Sequence, residues 1–384
     1  NSPILPVFID AKNSSIFYAV SFINKNIATL FLPHEMFKKR SEVIHFKIGE
    51  LIADKTLQNS GFDDAVLINL LKKHLYKIAK GKKGIFATQT SIAHPEDRKS
   101  IRSELKKSKL LGQTSDGKHI YLYDYEQGSV LMRELGRLRE LTFRKVEEGT
   151  GTKRDMDLFD EYYKHIVLWD EDELEVVGAY RIGEANFITE HFGKEGFYSQ
   201  TLFEFKPEFE PYMHNAIELG RSFVQPCYWG TRALDYLWQG IGAYLYQNPH
   251  IQYMYGPVSL SDVYPKIAKN LIVAFYSLYF SSPLKLVKAR NGFFMSESET
   301  KEAKAFFQGD NYKEDFTILK EQLSLIDLNV PTLYKQYTEL CDEGGILFLD
   351  FNIDEEFANC VDSFILVDIS KIKEAKKARY IKGA

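Results

Sequence analysis

Residues 216–246, AIELGRSFVQPCYWGTRALDYLWQGIGAYLY, predict a β-strand that turns into a helix. Side chains alternate between the two faces of a strand, so Glu218 and Arg221 are expected on opposite sides. Gly220 and Ser222 are expected on the side of Glu218. A glutamate and an arginine among apolar strand residues indicate either a site inside a sheet or an edge strand with its charges in water.

The composition predicts a soluble globular protein. The 384 residues are 45% hydrophobic and 27% charged, with a formal net charge of -4, and this length suffices for two domains. The cysteines Cys227, Cys341 and Cys360 lack the spacing of a disulfide framework or a zinc site. From this spacing we expect no metal and a reducing cytoplasmic environment. We also expect no nucleic-acid partner.

The most apolar run, residues 271–280 (LIVAFYSLYF), is too short to span a bilayer, which takes roughly 18 residues or more. Its sequence is compatible with a buried helix or with a helix lying on a membrane surface. Peripheral contact with the inner face of the cytoplasmic membrane is therefore an expectation.

The opening strand and helix belong to a longer series of predicted elements. These are a helix (128–144), a hairpin (162–169 and 175–182), the opening stretch, a partner strand (251–260), a helix (264–280) and two final strands (345–351 and 363–368). This order resembles the α/β fold of GNAT acyltransferases, whose mixed sheet is flanked by helices. In that fold two parallel strands splay apart and a pantetheine arm binds in the gap, which predicts a splay between residues 217–225 and 252–257.

Three further segments carry a more specific resemblance: LGRLRELTFRKVEEGTGTKRDMDLFDEYYKHIVLWD (135–170), EVVGAYRIG (175–183) and ELGRSFVQPCYWGTRALDYLWQGI (218–241). Together they resemble the ornithine-lipid type N-acyltransferases, also called hemolysin-like proteins, which are similar to the acyl-homoserine-lactone synthases. The resemblance covers about residues 100–384. The tryptophan that those synthases carry soon after their Phe is absent, and the EGTG loop in its place favours the ornithine-lipid branch.

The resemblance implies an amine-acceptor site. Because an attacking amine must lose a proton, Glu218 is the candidate base, with Arg221 beside it. The residues expected to bind the acceptor and to order the EGTG loop are Arg139, Phe143, Asp157, Asp160 and Arg181. A purely structural ion-pair network is the alternative for the arginines and aspartates.

The resemblance also implies an acyl-pantetheine donor. The residues expected to bind it are Ser222, Phe223, Val224, Gln225, Trp229, Gly230, Thr231 and Arg232. The backbone amide of Phe223 or Val224 is expected to stabilise the oxyanion. A turn with the single glycine Gly230 suits one phosphodiester better than a pyrophosphate, which favours acyl carrier protein over acyl-CoA as the donor cosubstrate. The basic residues between 72 and 109 form either a docking face for this acidic carrier or an ordinary solvated surface.

Residues 1–95 resemble the last third of PlsC-type glycerolipid O-acyltransferases, and residues 96–384 are expected to form the GNAT-like domain. Strands are predicted at 4–10, 27–32 and 43–52, followed by a helix at 63–80. The catalytic His-x4-Asp motif is missing, because His94 and Asp97 lie too close together. The start within a strand suggests a fragment of a longer protein.

The predicted function is transfer of a (3-hydroxy)acyl chain from acyl carrier protein to the amine of an amino acid, giving a lyso-aminolipid without a bound cofactor. The alternatives are a lysophospholipid or glycerolipid O-acyltransferase and a non-enzymatic, membrane-active hemolysin-like protein. Cys227 is expected to be a core thiol rather than a nucleophile, because no histidine lies near it in sequence.

Overall fold

A computed structural model describes residues 2–41, 43–58 and 60–381. The chain divides into two compact units, Asn1–Ser91 and Ile92–Ala384. This division lies close to the boundary expected near residue 95.

The smaller unit contains an antiparallel strand pair, in which Val7 lies opposite Ile48. The strand predicted at residues 27–32 is wrong, because this segment is helical. Asn24 begins the helix by accepting hydrogen bonds from the backbone of Asn26 and Ile27, which satisfies N–H groups that the first turn leaves free. The elements of this unit are β1 (Val7–Asp10), α1 (Ser15–Ile23), α2 (Lys25–Lys38), β2 (His45–Ile48), α3 (Asp54–Gln58) and α4 (Asp64–Ala79).

The larger unit is built on a mixed sheet. Its strands are β3 (Lys109–Gln113), β4 (His119–Tyr123), β5 (Lys164–Asp170), β6 (Glu175–Glu184), β7 (Phe203–Phe205), β8 (Ala216–Val224), β9 (Tyr253–Leu260), β10 (Val287–Ala289), β11 (Ile346–Asp354) and β12 (Cys360–Asp368). Eight of them form one sheet in the order β11-β12-β9-β8-β6-β5-β4-β3, while β7 pairs with β10. Every neighbouring pair of the large sheet is antiparallel except β8 and β9.

Helices cover both faces of this sheet because both faces are apolar. In β5, Ile166 and Leu168 pack in one core cluster, whereas Val167 and Trp169 pack in another. The helices are α5 (Arg98–Leu105), α6 (Val130–Lys145), α7 (Ala185–Phe192), α8 (Ser199–Leu202), α9 (Glu210–Met213), α10 (Ala233–Gln247), α11 (Lys266–Phe280), α12 (Glu297–Lys304), α13 (Tyr312–Ser324), α14 (Thr332–Thr338) and α15 (Glu374–Tyr380). Helices α10 and α11 pack in the cluster of Ile166, and α6 packs in that of Trp169. The α/β expectation is confirmed.

Helix α11 contains the apolar run at 271–280. Its residues from Leu271 to Tyr276 are buried in the core of the larger unit. The interpretation as a buried helix is therefore confirmed for this segment.

The parallel strands β8 and β9 separate soon after they meet. Their register runs from Ala216 opposite Tyr253 to Glu218 opposite Tyr255, whereas β9 pairs with β12 along its whole length. Pro257, which lies within β9 two residues after Tyr255, has no N–H to offer to a neighbouring strand. The predicted splay is confirmed.

Candidate active site

A small cavity, which we call the junction cavity, lies where β8 and β9 separate. Its volume is about 100 Å³. Gly220, Arg221 and Ser222 of β8 line one side, and Val258 and Ser259 of β9 line another. The remaining lining residues are Phe143, Glu148, Tyr180, Tyr198, Leu219, Pro257, Leu333, Tyr337, Phe357 and Asp362.

A larger space, the Trp229 cleft, adjoins the junction cavity and has a volume of about 620 Å³. Both spaces are lined by Phe143, Glu148, Ser222, Ser259 and Leu333. Six of the residues predicted to bind acyl-pantetheine line this cleft: Ser222, Phe223, Val224, Trp229, Gly230 and Thr231.

The backbone of β8 presents polar groups to the gap. The Gln225 N–H donates to the carbonyl of Val177 on β6 at 2.8 Å. Successive N–H groups of a strand point to opposite edges, so the Val224 N–H points away from β6 and towards the gap, whereas that of Phe223 points to β6. The carbonyl of Val224 accepts a hydrogen bond from the indole Nε1–H of Trp229 at 2.7 Å.

Two residues of the predicted donor set lie elsewhere. The buried side chain of Gln225 donates to the Val176 carbonyl. The exposed guanidinium of Arg232 packs 5.0 Å from the ring centroid of Tyr236. Neither side chain is in the lining of the Trp229 cleft.

A third space, the Arg290 cleft, adjoins the junction cavity on another side and has a volume of about 700 Å³. The two spaces share Tyr198, Arg221 and Phe357. Polar and charged residues dominate the rest of its lining: Thr150, Asp155, Asp157, Thr201, Arg290, Asn291, Asn352, Asp354, Glu355 and Glu356. The junction cavity thus lies between an aromatic cleft and a charged one and shares lining residues with each.

A β-bulge at Arg221 interrupts the side-chain alternation that was predicted for β8. The register between β6 and β8 shifts in this region, and Arg221 has a φ of 46°. Leu219 and Phe223 consequently pack in different core clusters, although strict alternation places them on one face. The bulge turns Arg221 towards the side of Glu218, where both contact Tyr198.

The arginines and aspartates of the predicted acceptor site form a connected ion-pair network. Arg139 pairs with Asp160 at 2.7 Å, and Arg181 pairs with Asp157 at 2.6 Å and with Asp160 at 3.2 Å. Arg221 lies 3.7 Å from Asp157. Burial alone would raise the pKa of Asp160, but Arg139 and Arg181 lower it below its usual range. Within this set, Asp157 and Arg221 line the Arg290 cleft, whereas Arg139, Asp160 and Arg181 are buried behind it.

Glu218, the predicted base, is enclosed by donors. It is 1% exposed and accepts hydrogen bonds from the Tyr163 hydroxyl, the Tyr198 N–H at 3.2 Å and the Ser199 N–H at 2.6 Å. Burial raises its pKa, and the hydrogen bonds from Ser199 and Tyr163 oppose that rise. Glu218 lies outside the lining of all three spaces.

The EGTG loop is held by Glu140, a residue that the motif comparison missed. Its carboxylate accepts hydrogen bonds from the Thr150 N–H at 3.1 Å, the Thr150 hydroxyl at 2.8 Å and the Gly151 N–H at 2.9 Å. Arg144, which pairs with Glu140 at 2.6 Å, donates to the Thr152 carbonyl at 2.6 Å. Two residues of α6 therefore hold this loop directly, and the expected ordering of the loop by Asp157 and Asp160 stays a prediction.

Two further acids that sequence reasoning missed, Glu148 and Asp362, line the junction cavity. Burial and the charge of Asp362 raise the pKa of Glu148 to about 8, and Arg221 opposes this rise. Burial raises the pKa of Asp362 to about 7, against a hydrogen bond from Ser259. Asp362 lies on a strand distant in sequence from the recognised motifs, so no spacing pointed to it.

Cys227 is exposed, so its predicted place in the core is wrong. The pKa of the Cys227 thiol is raised by partial burial of the sulfur atom and by the nearby charge of Glu175. The low thiolate fraction of such a thiol does not favour a nucleophilic role.

Comparison with known proteins identifies the family. Residues 138–239 match the acetyltransferase (GNAT) domain family. A glycine N(alpha)-acyltransferase of Phocaeicola vulgatus is 30% identical over 306 residues, which cover 76% of this chain and 93% of that protein. The chain belongs to this family of GNAT-type N-acyltransferases. The enzyme is 29% identical to a glycine N(alpha)-acyltransferase of Bacteroides thetaiotaomicron, over 76% of this chain and 89% of that one.

More limited similarity extends to other N-acyltransferases. An L-ornithine N(alpha)-acyltransferase of Agrobacterium fabrum is 30% identical over 135 residues, covering 34% of the enzyme and 45% of that protein. The solved CoA-dependent acyl-homoserine lactone synthase MesI aligns with a TM-score of 0.31 at 11% identity, over 69% of this chain and 96% of that chain. That structural similarity is too low to support a conclusion.

Among the described residues, no helix is both long and apolar enough to cross a membrane.

Proposed function

We propose that the enzyme transfers a (3-hydroxy)acyl chain from a thioester on acyl carrier protein to the α-amine of an amino acid, giving a lyso-aminolipid. The observation that carries this proposal is that the junction cavity lies between the Trp229 cleft and the Arg290 cleft and shares lining residues with each. A donor in one cleft and an acceptor in the other bring their reacting groups together there, and holding them in place lowers the entropic part of the barrier.

The Trp229 cleft has the chemistry that an acyl-pantetheine arm requires. Aromatic side chains of Phe143, Tyr228 and Trp229 offer apolar surface to the chain. The Val224 N–H, which points into the gap, can donate to the thioester oxygen as it gains negative charge. We assign the oxyanion role to Val224 rather than to Phe223.

Acyl carrier protein is our preferred donor because the phosphate-binding turn is minimal. Arg232, which precedes helix α10, makes no side-chain cap, and of the first N–H groups that of Ala233 donates to the Thr231 hydroxyl at 3.2 Å. Gly230 has a φ of 76°. Free N–H groups at a helix start attract one phosphate, whereas a pyrophosphate usually needs a longer glycine-rich turn. Acyl-CoA is the alternative donor, and the reaction rates with the two thioesters have to be compared.

The Arg290 cleft suits an amino acid. Arg221 and Arg290 can bind its carboxylate, while the acids around them attract its ammonium group. Glycine is the first acceptor to test, because the relatives that align along most of the chain are named for glycine. Ornithine is the second.

The test is incubation of the purified protein with long-chain 3-hydroxyacyl thioesters of acyl carrier protein or of CoA, together with single amino acids. Mass spectrometry of the lipid extract is expected to show an N-acyl amino acid, formed faster from the carrier-protein thioester. The absence of any N-acyl product would contradict the proposed function, and a faster reaction of the CoA thioester would contradict the donor assignment.

For the smaller unit we propose contact with a membrane surface. Phe22 and Ile23 of α1 are 94% and 84% exposed, and Leu30 and Met36 of α2 are 78% and 73% exposed. Apolar side chains of this kind partition into the interfacial region of a bilayer. Flotation with anionic vesicles is expected to recover the protein, and a Phe22→Ser/Ile23→Ser variant is expected to remain at the bottom of the gradient. The likeness of residues 1–95 to PlsC-type enzymes stays a prediction.

A further inference from the structure

The junction cavity contains carboxyl oxygens that the protein itself leaves without donors. Asp362 is 2% exposed, and its Oδ1 accepts a hydrogen bond from the Ser259 hydroxyl at 2.7 Å. Within residues 2–41, 43–58 and 60–381, no group donates a hydrogen bond to the other oxygen of Asp362 or to the carboxylate of Glu148. Glu148 is only partly buried, and both acids line the junction cavity, so these oxygens are free for a ligand.

A third polar group in the same cavity is also without a partner. The Tyr180 hydroxyl is buried and makes no hydrogen bond, although Ser222 and Tyr337 lie near it without reaching hydrogen-bond geometry. Tyr180 comes from β6, whereas Asp362 comes from β12 and Glu148 from the EGTG loop. Three elements therefore direct unsatisfied polar groups into one space of about 100 Å³.

The proposed reaction requires two proton acceptors at the nitrogen. An amino acid at neutral pH carries an ammonium group with three protons, whereas the amide product keeps one of them. One proton must leave before the lone pair can attack, and a second must leave after the C–N bond has formed. One of the two protonates the departing thiolate, and the other goes to solvent.

We propose that Asp362 and Glu148 form the proton-accepting pair for the acceptor amine, with Asp362 as the base that frees the lone pair. This inference rests on the proposed function and names the catalytic groups of the same site. The free amine attacks the thioester carbon, the C–N bond forms, and the C–S bond breaks with its electron pair passing to sulfur. Glu148 takes the second proton, and the acid formed on one of the pair protonates the thiolate.

The charges around the pair suit a base at neutral pH. Asp362 and Glu148 interact electrostatically with several neighbouring titratable groups. These are Asp354, Arg221, Cys360, Tyr198 and Tyr334. Burial raises the pKa of each tyrosine and of Cys360, which keeps them neutral. Arg221 remains the cation opposite the acids, because Asp155 and other anions keep its pKa high despite burial.

Glu218 takes a different role in this arrangement. It is a positioning residue, since it holds the backbone of Tyr198 and Ser199 and does not face the reacting groups. Asp362 and Glu148, by contrast, line the cavity in which those groups meet.

The test is the pH dependence of kcat for three variants of the full chain, with the donor and amino acid on which the unchanged enzyme acts. We expect kcat of the unchanged enzyme to rise with pH as Asp362 and Glu148 lose their protons and become able to accept those of the amine. Asp362→Asn is expected to lower kcat by about a hundredfold or more and to abolish that rise. Glu148→Gln is expected to lower kcat about tenfold or more and to move the rise to lower pH, because it removes the negative charge beside Asp362.

The matched control is Asp315→Asn. Asp315 is also a buried aspartate, 1% exposed, but it accepts hydrogen bonds from the Tyr279 hydroxyl and the Gly309 N–H outside all three spaces. Its pH profile is expected to match that of the unchanged enzyme. Unchanged kcat and an unchanged profile in Asp362→Asn would overturn the base assignment while the proposed function stands. Absence of any N-acylation by the unchanged enzyme would refute the proposed function and the assignment with it.

Discussion

Arg221 and Glu218 hold the two ends of Tyr198. The guanidinium of Arg221 donates to the Tyr198 hydroxyl at 3.2 Å, while the Tyr198 N–H donates to the Glu218 carboxylate at 3.2 Å. The bulge in β8 makes this possible, since it turns both side chains to the same side. Tyr198 is thereby fixed as the wall between the junction cavity and the Arg290 cleft.

Glu218→Gln tests the positioning role. The NH2 of the glutamine would face either the Tyr198 N–H or the Ser199 N–H, which leaves that donor unpaired and costs about 1–3 kcal/mol in the free energy of unfolding. We expect a lower kcat but an unchanged pH dependence of kcat, because the proton acceptors remain. Denaturant unfolding and kcat across pH measure both effects. Loss of the pH dependence in Glu218→Gln would instead return Glu218 to the role of base.

Arg221→Met tests the electrostatic role of the bulged arginine. Asp155 is 2% exposed and lies 3.2 Å from Nε of Arg221, so the variant leaves a buried carboxylate without its cation. Removing one partner of a buried pair costs about 3–5 kcal/mol of folding stability. Adding Asp155→Asn is expected to restore part of the loss, as measured by urea unfolding. Equal stability of Arg221→Met and the unchanged enzyme would contradict the pairing.

Gly256→Ala tests the close approach of β9 to β8 at the splay. A Cβ at residue 256 would lie 2.0 Å from the Leu219 carbonyl oxygen, and the φ of 157° is rarely adopted by L-residues. We expect a fall in the thermal midpoint corresponding to a few kcal/mol, because backbone cannot move aside as a flexible side chain does. Gly220→Ala, whose Cβ would meet nothing within 4 Å, is the control for stability. A similar midpoint in the two variants would contradict the geometry.

Trp229→Ala tests the donor cleft. The indole lines the Trp229 cleft and donates to the Val224 carbonyl. We expect the KM for the acyl donor to rise about tenfold, corresponding to about 1.4 kcal/mol, with little change in the KM for the amino acid. Tyr246→Ala, which removes an aromatic ring 65% exposed on α10, is the matched control. A larger change in the KM for the amino acid would place the acceptor in this cleft.

Asp362→Asn is also expected to increase the free energy of unfolding at alkaline pH. The folded state raises the pKa of Asp362 to about 7, above the value of roughly 4 expected in the unfolded chain. The unfolded chain therefore loses this proton more readily, and the stability of the unchanged enzyme falls as pH rises from about 4 to about 7. At pH 8 we expect the variant to be more stable by roughly 1–4 kcal/mol. Thermal unfolding at pH 5 and pH 8 measures the difference, and a variant less stable at pH 8 would contradict the raised pKa.

Local periodicity in the sequence was enough to predict much of the larger unit. The strand and helix of residues 216–246 occur as β8 and α10, and the partner strand occurs as β9. Six residues chosen for donor binding share one cleft, because strand and turn residues close in sequence remain close in space. A short apolar segment was harder to assign: residues 27–32 were predicted as a strand but lie in the helix Lys25–Lys38.

The arrangement of the acids could not be predicted in this way. The side to which Arg221 turns depends on a bulge, and nothing in residues 216–224 marks where an extra residue enters the pairing. Glu148 and Asp362 meet only because a loop and the distant strand β12 fold against the same gap. Their raised pKa values arise from that burial, which a linear spacing does not contain.

The small size of the junction cavity has a kinetic consequence. A space of about 100 Å³ holds only a few water molecules, and the reacting groups enter it only by displacing them. Direct attack then requires donor and acceptor to be bound at once in a ternary complex. Initial velocities measured over both substrates should give intersecting double-reciprocal lines, whereas parallel lines would indicate a covalent acyl-enzyme.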